Sequence, residues 1–368
     1  MFAAKFTLHP EQFVEQERLL LDAGSLLATT FRYPSGVAAV RLANEWGDLI
    51  LLPFQGQQIW SARFGAPGYP RRELTMRSMF EMPVKTRNFL ETFGGFLQHL
   101  GALAAGSPGP EDVHPLHGEL PNAPYRSAHL VLGEDERGRY VGLTGVYEHT
   151  VAFSHHYQAE PLVKLYQGAT LININMAITN LKREPMELMY GAHINFRPVD
   201  NGHLVYSATR TSEHVRLRSS VPSHITPTPA FEALLAELQA DPTRHETLTP
   251  GMAFDPEIVF FIDYNIDDDG LAHSLQVHPD GSADYVRHRP SQLPRATRWI
   301  SRQQPDQDAI AIVEVGTCEM EGYTSEKAKG NIVALHTGDT YRCSFDAGLL
   351  APDQAAAVEA HVETISNR

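Results

Sequence analysis

Between residues 169 and 180 apolar and polar side chains alternate. Ile172, Ile174, Met176 and Ile178 fall on one face, and Asn173, Asn175, Ala177 and Thr179 on the other. A period of two belongs to an extended strand and not to a helix. The polar face is open to two readings, a solvated surface or the wall of a cleft. Shorter apolar runs at 257–264 (EIVFFIDY) and 309–315 (AIAIVEV) are rich in β-formers. Residues 26–64 read as strands and turns, with Leu49, Ile50, Leu51 and Leu52 closed by Pro53. Pro279-Asp280-Gly281 and Asp268-Asp269-Gly270 are hairpin-like turn signals. Helical periodicity is confined to a few places. Phe231, Leu234, Leu235 and Leu238 follow the amphipathic spacing, inside a Ser-, Thr-, Pro- and His-rich excursion over 211–250. A C-terminal helix over 352–364 is opened by Pro352. Residues 10–23 also predict a helix, with Pro10 at its first position, Glu11 at its positive end and Gly24 at its stop. Many strands, frequent turns and few helices predict a mostly β protein, a large antiparallel β-sandwich or barrel with peripheral helices.

Composition narrows the function classes. A chain of 368 residues, 42% of them hydrophobic, can bury a large core without staples. Acidic residues outnumber basic ones 44 to 30, a formal charge of −14, which disfavours nucleic-acid and membrane-surface partners. Cys318 and Cys343 are the two cysteines, with no CxxC pair, as expected of free thiols in a reducing compartment. The first residues, MFAAKFTLHPEQ, lack a signal-peptide core, and no window approaches 18 consecutive apolar residues. A cytoplasmic location is the expectation. The 18 histidines are about double the usual share, which fits acid–base or metal chemistry as well as a scattered surface.

Three segments carry candidate chemistry. In PLHGELPNAPY (115–125), Gly118 beside His117 lets backbone approach a ligand closely, and the same dipeptide also suits an ordinary turn. In MYGAHINFRP (189–198), His193 and Asn195 share a face if the segment is extended, and the competing reading is a hydrogen-bonded core histidine. Glu314 sits in the apolar run AIVEV, where burial of an unpaired carboxylate costs several kcal/mol. Desolvation there raises a carboxyl's pKa into the range of a useful base, unless the side chain points outward from the strand end.

Together and in this order the segments resemble the galactose mutarotase-like (aldose 1-epimerase) superfamily, over about residues 35–350. A divergent bacterial branch is closer than the galactose mutarotases themselves. ETFGGFLQHLG (91–101) and LHGELPN (116–122) are similar to that branch's Gly-Gly segment and HG loop, and GAHINF resembles the Gly-x-His-Pro-x-Phe motif. VEVGTCEMEGYTSEKAKGNIVALHTGD (313–339) resembles the C-terminal pattern of an acidic residue, a turn and a closing strand. The resemblance implies a galactose mutarotase-like supersandwich that interconverts sugar anomers. Glu314 is then the general base, His193 the general acid, and His117 a group stabilising the region of the ring oxygen. A sugar hydroxyl would be held by Asp255 or, in the same segment, Glu257. Gln98, His99, Asn122 and Asn195 are further candidates to face the sugar. Ile194 stands where the family has Pro, and Gln98 and His99 occupy the stretch of the usual Asn-Arg pair, which leaves the sugar itself open.

The expected organisation is an N-terminal helical extension (1–25), one sugar-binding catalytic β-sandwich (26–350) and a C-terminal helix (351–368). The chemistry implied needs no cofactor and no metal, and the partner implied is a small-molecule sugar. Two alternatives stand beside it. One is a metal-dependent sugar isomerase or lyase, using imidazoles among His114, His117, His149, His155, His156 and His193. The other is a non-catalytic carbohydrate-binding protein on the same fold.

Overall fold

In a computed structural model the protein is described for residues 2–221, 226–303 and 305–366. Two large antiparallel sheets, of ten and thirteen strands, stack face to face. The strand Leu171–Asn180 lies inside the ten-stranded sheet, between His155–Tyr166 and Thr340–Leu350. Its Ile172, Ile174, Met176 and Ile178 enter the main core between the sheets, where each fully buried aliphatic side chain contributes roughly 1.5–3 kcal/mol. Its polar face builds a ladder rather than a cleft. Asn175 donates to Asn173, Asn173 donates to Asp346, and Arg137 and Arg287 close on the same carboxylate.

The predicted helices at 231–241 and 352–364 are present as Pro229–Ala240 and Pro352–Ser366. The first is capped by Thr228, whose hydroxyl accepts from the Phe231 N–H, and buries Phe231 and Leu238. The second lays Ala355 and Val362 against Val205, Leu275, Val277 and Tyr285 of the ten-stranded sheet. A short helix, Tyr323–Ala328, was not anticipated.

Two expectations are corrected. Residues 10–23 do not form a helix: a 3-10 turn at Pro10–Gln12 leads to the strand Arg18–Asp22, which pairs with Leu27–Arg32. Leu19, Leu20 and Leu21 are consecutive, so they never offered a helical stripe, and an adjacent strand edge overrode the terminal signals. The N-terminal extension is therefore strands, with Phe2–Leu8 edging the ten-stranded sheet and Arg18–Asp22 the other. The turn at Asp268-Asp269-Gly270 likewise joins strands of different sheets, Phe254–Ile262 and Ala272–Val277. Pro279-Asp280-Gly281 does close a hairpin, between Ala272–Val277 and Ala283–His288. Among the described residues no helix is long and apolar enough to cross a membrane.

Candidate active site

The site is built on the outer face of the thirteen-stranded sheet. Strand Met186–Ile194 lies between Leu97–Ala102 and Gln307–Gly316. Its Leu188 and Tyr190 enter the main core, while Met189 belongs to a separate apolar cluster on the opposite face. His193 shares the Met189 face by alternation.

Strict alternation would not bring Glu314 to that face. Along Gln307–Gly316, Ile310 and Ile312 enter the main core, and Ala309 and Ala311 the outer cluster. The next outward position would be Val313. Against strand Arg295–Gln303, however, Trp299 pairs with Ala311 and Thr297 with Glu314. Three steps on one strand oppose two on the other, which is a β-bulge. Such an extra residue re-aims the side chains beyond it. Ile312 and Val313 both enter the core, and Glu314 turns outward beside His193.

His117 comes from the loop after strand Leu97–Ala102. Its N–H donates to Gly106 and its carbonyl accepts from Gly101. His117 and Gly118 have φ of 59° and 82°, a left-handed pair that turns the imidazole back over the sheet. The ring lies 4.6 Å from Phe89 and 5.9 Å from His193, centroid to centroid.

A cavity of ≈ 370 Å³ opens on this face, lined by His117, His193, Glu314, Asp255 and Glu257 together with Phe89, Phe93, Arg218 and Trp299. The His193 ring meets Phe93 and Trp299 edge-on at 5.2 and 5.0 Å. Glu257 accepts from Arg218 at 2.5 Å and from the Trp299 indole at 2.7 Å.

His193 Nε2 and Glu314 Oε1 are 3.1 Å apart and both side chains are buried. Burial pushes the Glu314 carboxyl well above its usual range, the Glu257 charge pushes it further, and Arg218 opposes both. Burial lowers His193 to about 4, against the opposing pull of Asn195 and Glu257. Both shifts favour the neutral imidazole beside the protonated acid over two buried charges. Around it, both amide atoms of Gln98 and Thr297 Oγ1 are buried without a hydrogen-bond partner among the described residues. Thr297 lines the cavity, so its hydroxyl can be met by a polar, hydrogen-bonding guest.

Of the remaining sequence candidates, Asp255 and Glu257 reach the cavity and the others lie around it. Gln98 neighbours His193 across the strand pair, on the same face but beneath the cavity lining. His99 points into the core and bonds the Tyr190 hydroxyl, with burial lowering it to about 4. Asn122 ties Gln55, Gln58 and the Asn88 carbonyl together, bracing the loop that carries His117. Asn195 donates to the Gly95 carbonyl. Asp255 is exposed at the rim and Glu257 is set deeper. Arg218 and Trp299 went unrecognised. The alternation of Thr297, Trp299 and Ser301 within RATRWISRQ was a signal for one face of a strand, but not for which face carries the cavity.

The family described as Domain of unknown function (DUF4432) matches residues 68–349. No curated protein matches the sequence. Among solved structures, a protein of Klebsiella pneumoniae subsp. pneumoniae named as a candidate aldose 1-epimerase is similar at 15% identity and TM-score 0.79, covering 99% of this chain and 96% of its own. A galactose mutarotase-like protein of Clostridium acetobutylicum is similar at 14% identity and TM-score 0.61, covering 89% and 99%. An aldose epimerase homologue from C. elegans is similar at 11% identity and TM-score 0.53, covering 83% and 96%. The fold is thus the galactose mutarotase-like β-sandwich.

Proposed function

The chain belongs to the DUF4432 family, and from its cavity we propose that it interconverts the α and β anomers of an aldose by acid–base opening of the ring. The observation that carries this reading is the buried His193–Glu314 pair, 3.1 Å apart on the cavity wall. Ring opening needs one group to take the proton of the anomeric hydroxyl and another to protonate the ring oxygen. Both oxygens sit on the same carbon, so an acid and a base in contact with each other can address both. In the reacting complex Glu314 is the base and His193 Nε2–H the acid. That arrangement differs from the resting pair by one proton moved across the 3.1 Å contact. As the proton leaves the hydroxyl, the C1 carbonyl forms and the bond from C1 to the ring oxygen breaks, its electron pair taking the His193 proton. The carbonyl rotates and the reversed steps close the ring on its other face.

The surroundings suit a sugar. Phe89, Phe93 and Trp299 offer apolar faces to its C–H bonds, and a cavity of ≈ 370 Å³ falls in the range of small-ligand sites. In this reading His117 steadies the ring-oxygen region. Asp255 at the rim or Glu257 inside accepts from a sugar hydroxyl in the same reading. Polarimetry or NMR exchange on freshly dissolved aldoses, deoxy-sugars and sugar acids tests the proposal. Acceleration of one or more is expected, and no acceleration across all of them sinks it.

The pair also predicts a pH profile. The active free enzyme carries one shared proton, so kcat/KM should fall below about pH 4, where His193 takes a second one. It should fall again as pH rises through the raised pKa of Glu314, where the pair loses its remaining proton. Glu257→Gln removes the charge that raises both groups, so both limbs should move to lower pH, whatever happens to the height of the profile. Limbs that stay in place would remove Glu257 from the electrostatics of the pair.

A further inference from the structure

Outside the lining of this cavity, three side chains converge where the C-terminal helix meets the ten-stranded sheet. We propose that Asp267, His273 and His361 form a zinc-binding site that staples the helix Pro352–Ser366 to the strand Ala272–Val277. One ligand atom from each of the three lies within 4.8 Å of the other two. His273 Nε2 is 3.1 Å, and His361 Nε2 3.6 Å, from the same oxygen, Asp267 Oδ2. The longer separation exceeds a hydrogen bond. Ligands bound at about 2.0–2.1 Å around a tetrahedral ion are about 3.3 Å from one another, and the two distances bracket that edge.

Each ligand is also aimed. Asp267 Oδ1 is occupied by the backbone N–H groups of Asp269 and Leu271, at 2.9 and 2.8 Å, which leaves Oδ2 to face the imidazoles. His273 is buried, and its Nδ1 is 2.6 Å from the Tyr285 hydroxyl. That second contact fixes the ring with Nε2 toward Asp267, as outer partners do for metal-bound histidines. Arg287 on the next strand disfavours positive charge at His273, and Asp346, 2.7 Å from it, works against that repulsion. His361 stands half-exposed on the helix, so a fourth position is left for solvent. Two imidazoles and one carboxylate select zinc and its transition-metal neighbours over calcium or magnesium.

The ion would add to the contacts that already dock the helix. The helix buries Ala355, Val362 and Ile365, pairs Glu359 with His203, and donates from the Ser366 hydroxyl to the Tyr206 carbonyl. Untagged full-length protein, stripped with chelator, should be titrated with zinc chloride by calorimetry and followed by thermal unfolding. One zinc per chain and a raised Tm are expected. His361→Ala, on an exposed helix face, and the isosteric Asp267→Asn should each weaken binding by about tenfold or more and abolish the rise in Tm. Cobalt should give the intense visible absorption of a four-coordinate ion in the wild type and lose it in His361→Ala. The proposal is overturned if the wild type binds no stoichiometric zinc, so that Asp267 and His273 are only a hydrogen-bonded pair. It is equally overturned if both variants bind zinc like the wild type, which would place the ion elsewhere.

Discussion

Glu314→Gln should slow anomer interconversion by about 100- to 10,000-fold, the range that general acid–base groups supply. The amide keeps the shape of the side chain and can still bond His193 Nε2 across the 3.1 Å contact. What it loses is the ability to take the anomeric proton, so binding of the sugar should survive. Stability should survive as well. The folded pKa of Glu314 is raised, so the group's contribution to stability is fully present below its ordinary pKa and is lost as pH rises through the folded value. The variant has no such loss and should be at least as stable as the wild type once pH exceeds that folded value. Polarimetric rates alongside thermal unfolding check both halves. Unchanged turnover would mean that another residue is the base.

Gly118→Ala should cost about 3 kcal/mol of stability or more and displace His117 with it. A side chain at φ 82° is strained in any surroundings. Here the added carbon would also lie 2.1 Å from the Ala104 carbonyl oxygen and 2.5 Å from that of Gly101. Both are backbone atoms that cannot swing aside, so strand and loop must separate. Substitutions that force such shifts belong to the severe tail of mutational effects. A lower midpoint in urea together with reduced activity is the expected result. A variant of wild-type stability would show that the loop is far more yielding than its packing implies.

The sequence made some of this legible and hid the rest for identifiable reasons. The strand at 171–180 declared itself because its two faces meet different surroundings, the main core and a polar ladder. The N-terminal segment was misread because capping signals are local, whereas the partner of Arg18–Asp22 is a strand edge. His117, His193 and Glu314 were named from motifs, and they do line one cavity. That Glu314 reaches it was not readable from alternation, since the bulge adds one apolar residue to an already apolar run. Arg218 and Trp299 were invisible because each comes to the cavity through strand pairings with partners distant in the chain.

The pairing of Gly191 with Gly316 joins the strands of His193 and Glu314. It also closes a loop of more than a hundred residues, so the site is among the last parts of the molecule that a growing chain can complete. Sheets dominated by such distant partners fold in roughly milliseconds to seconds rather than microseconds. A nascent chain that has not yet passed Gly316 carries His193 on a strand whose neighbour does not yet exist. It offers an open edge, with Met189 and Tyr190 uncovered, to whatever else is in solution. For this architecture the same strand that completes the chemistry also seals that edge, so the cost of a stalled or truncated chain is aggregation as well as inactivity.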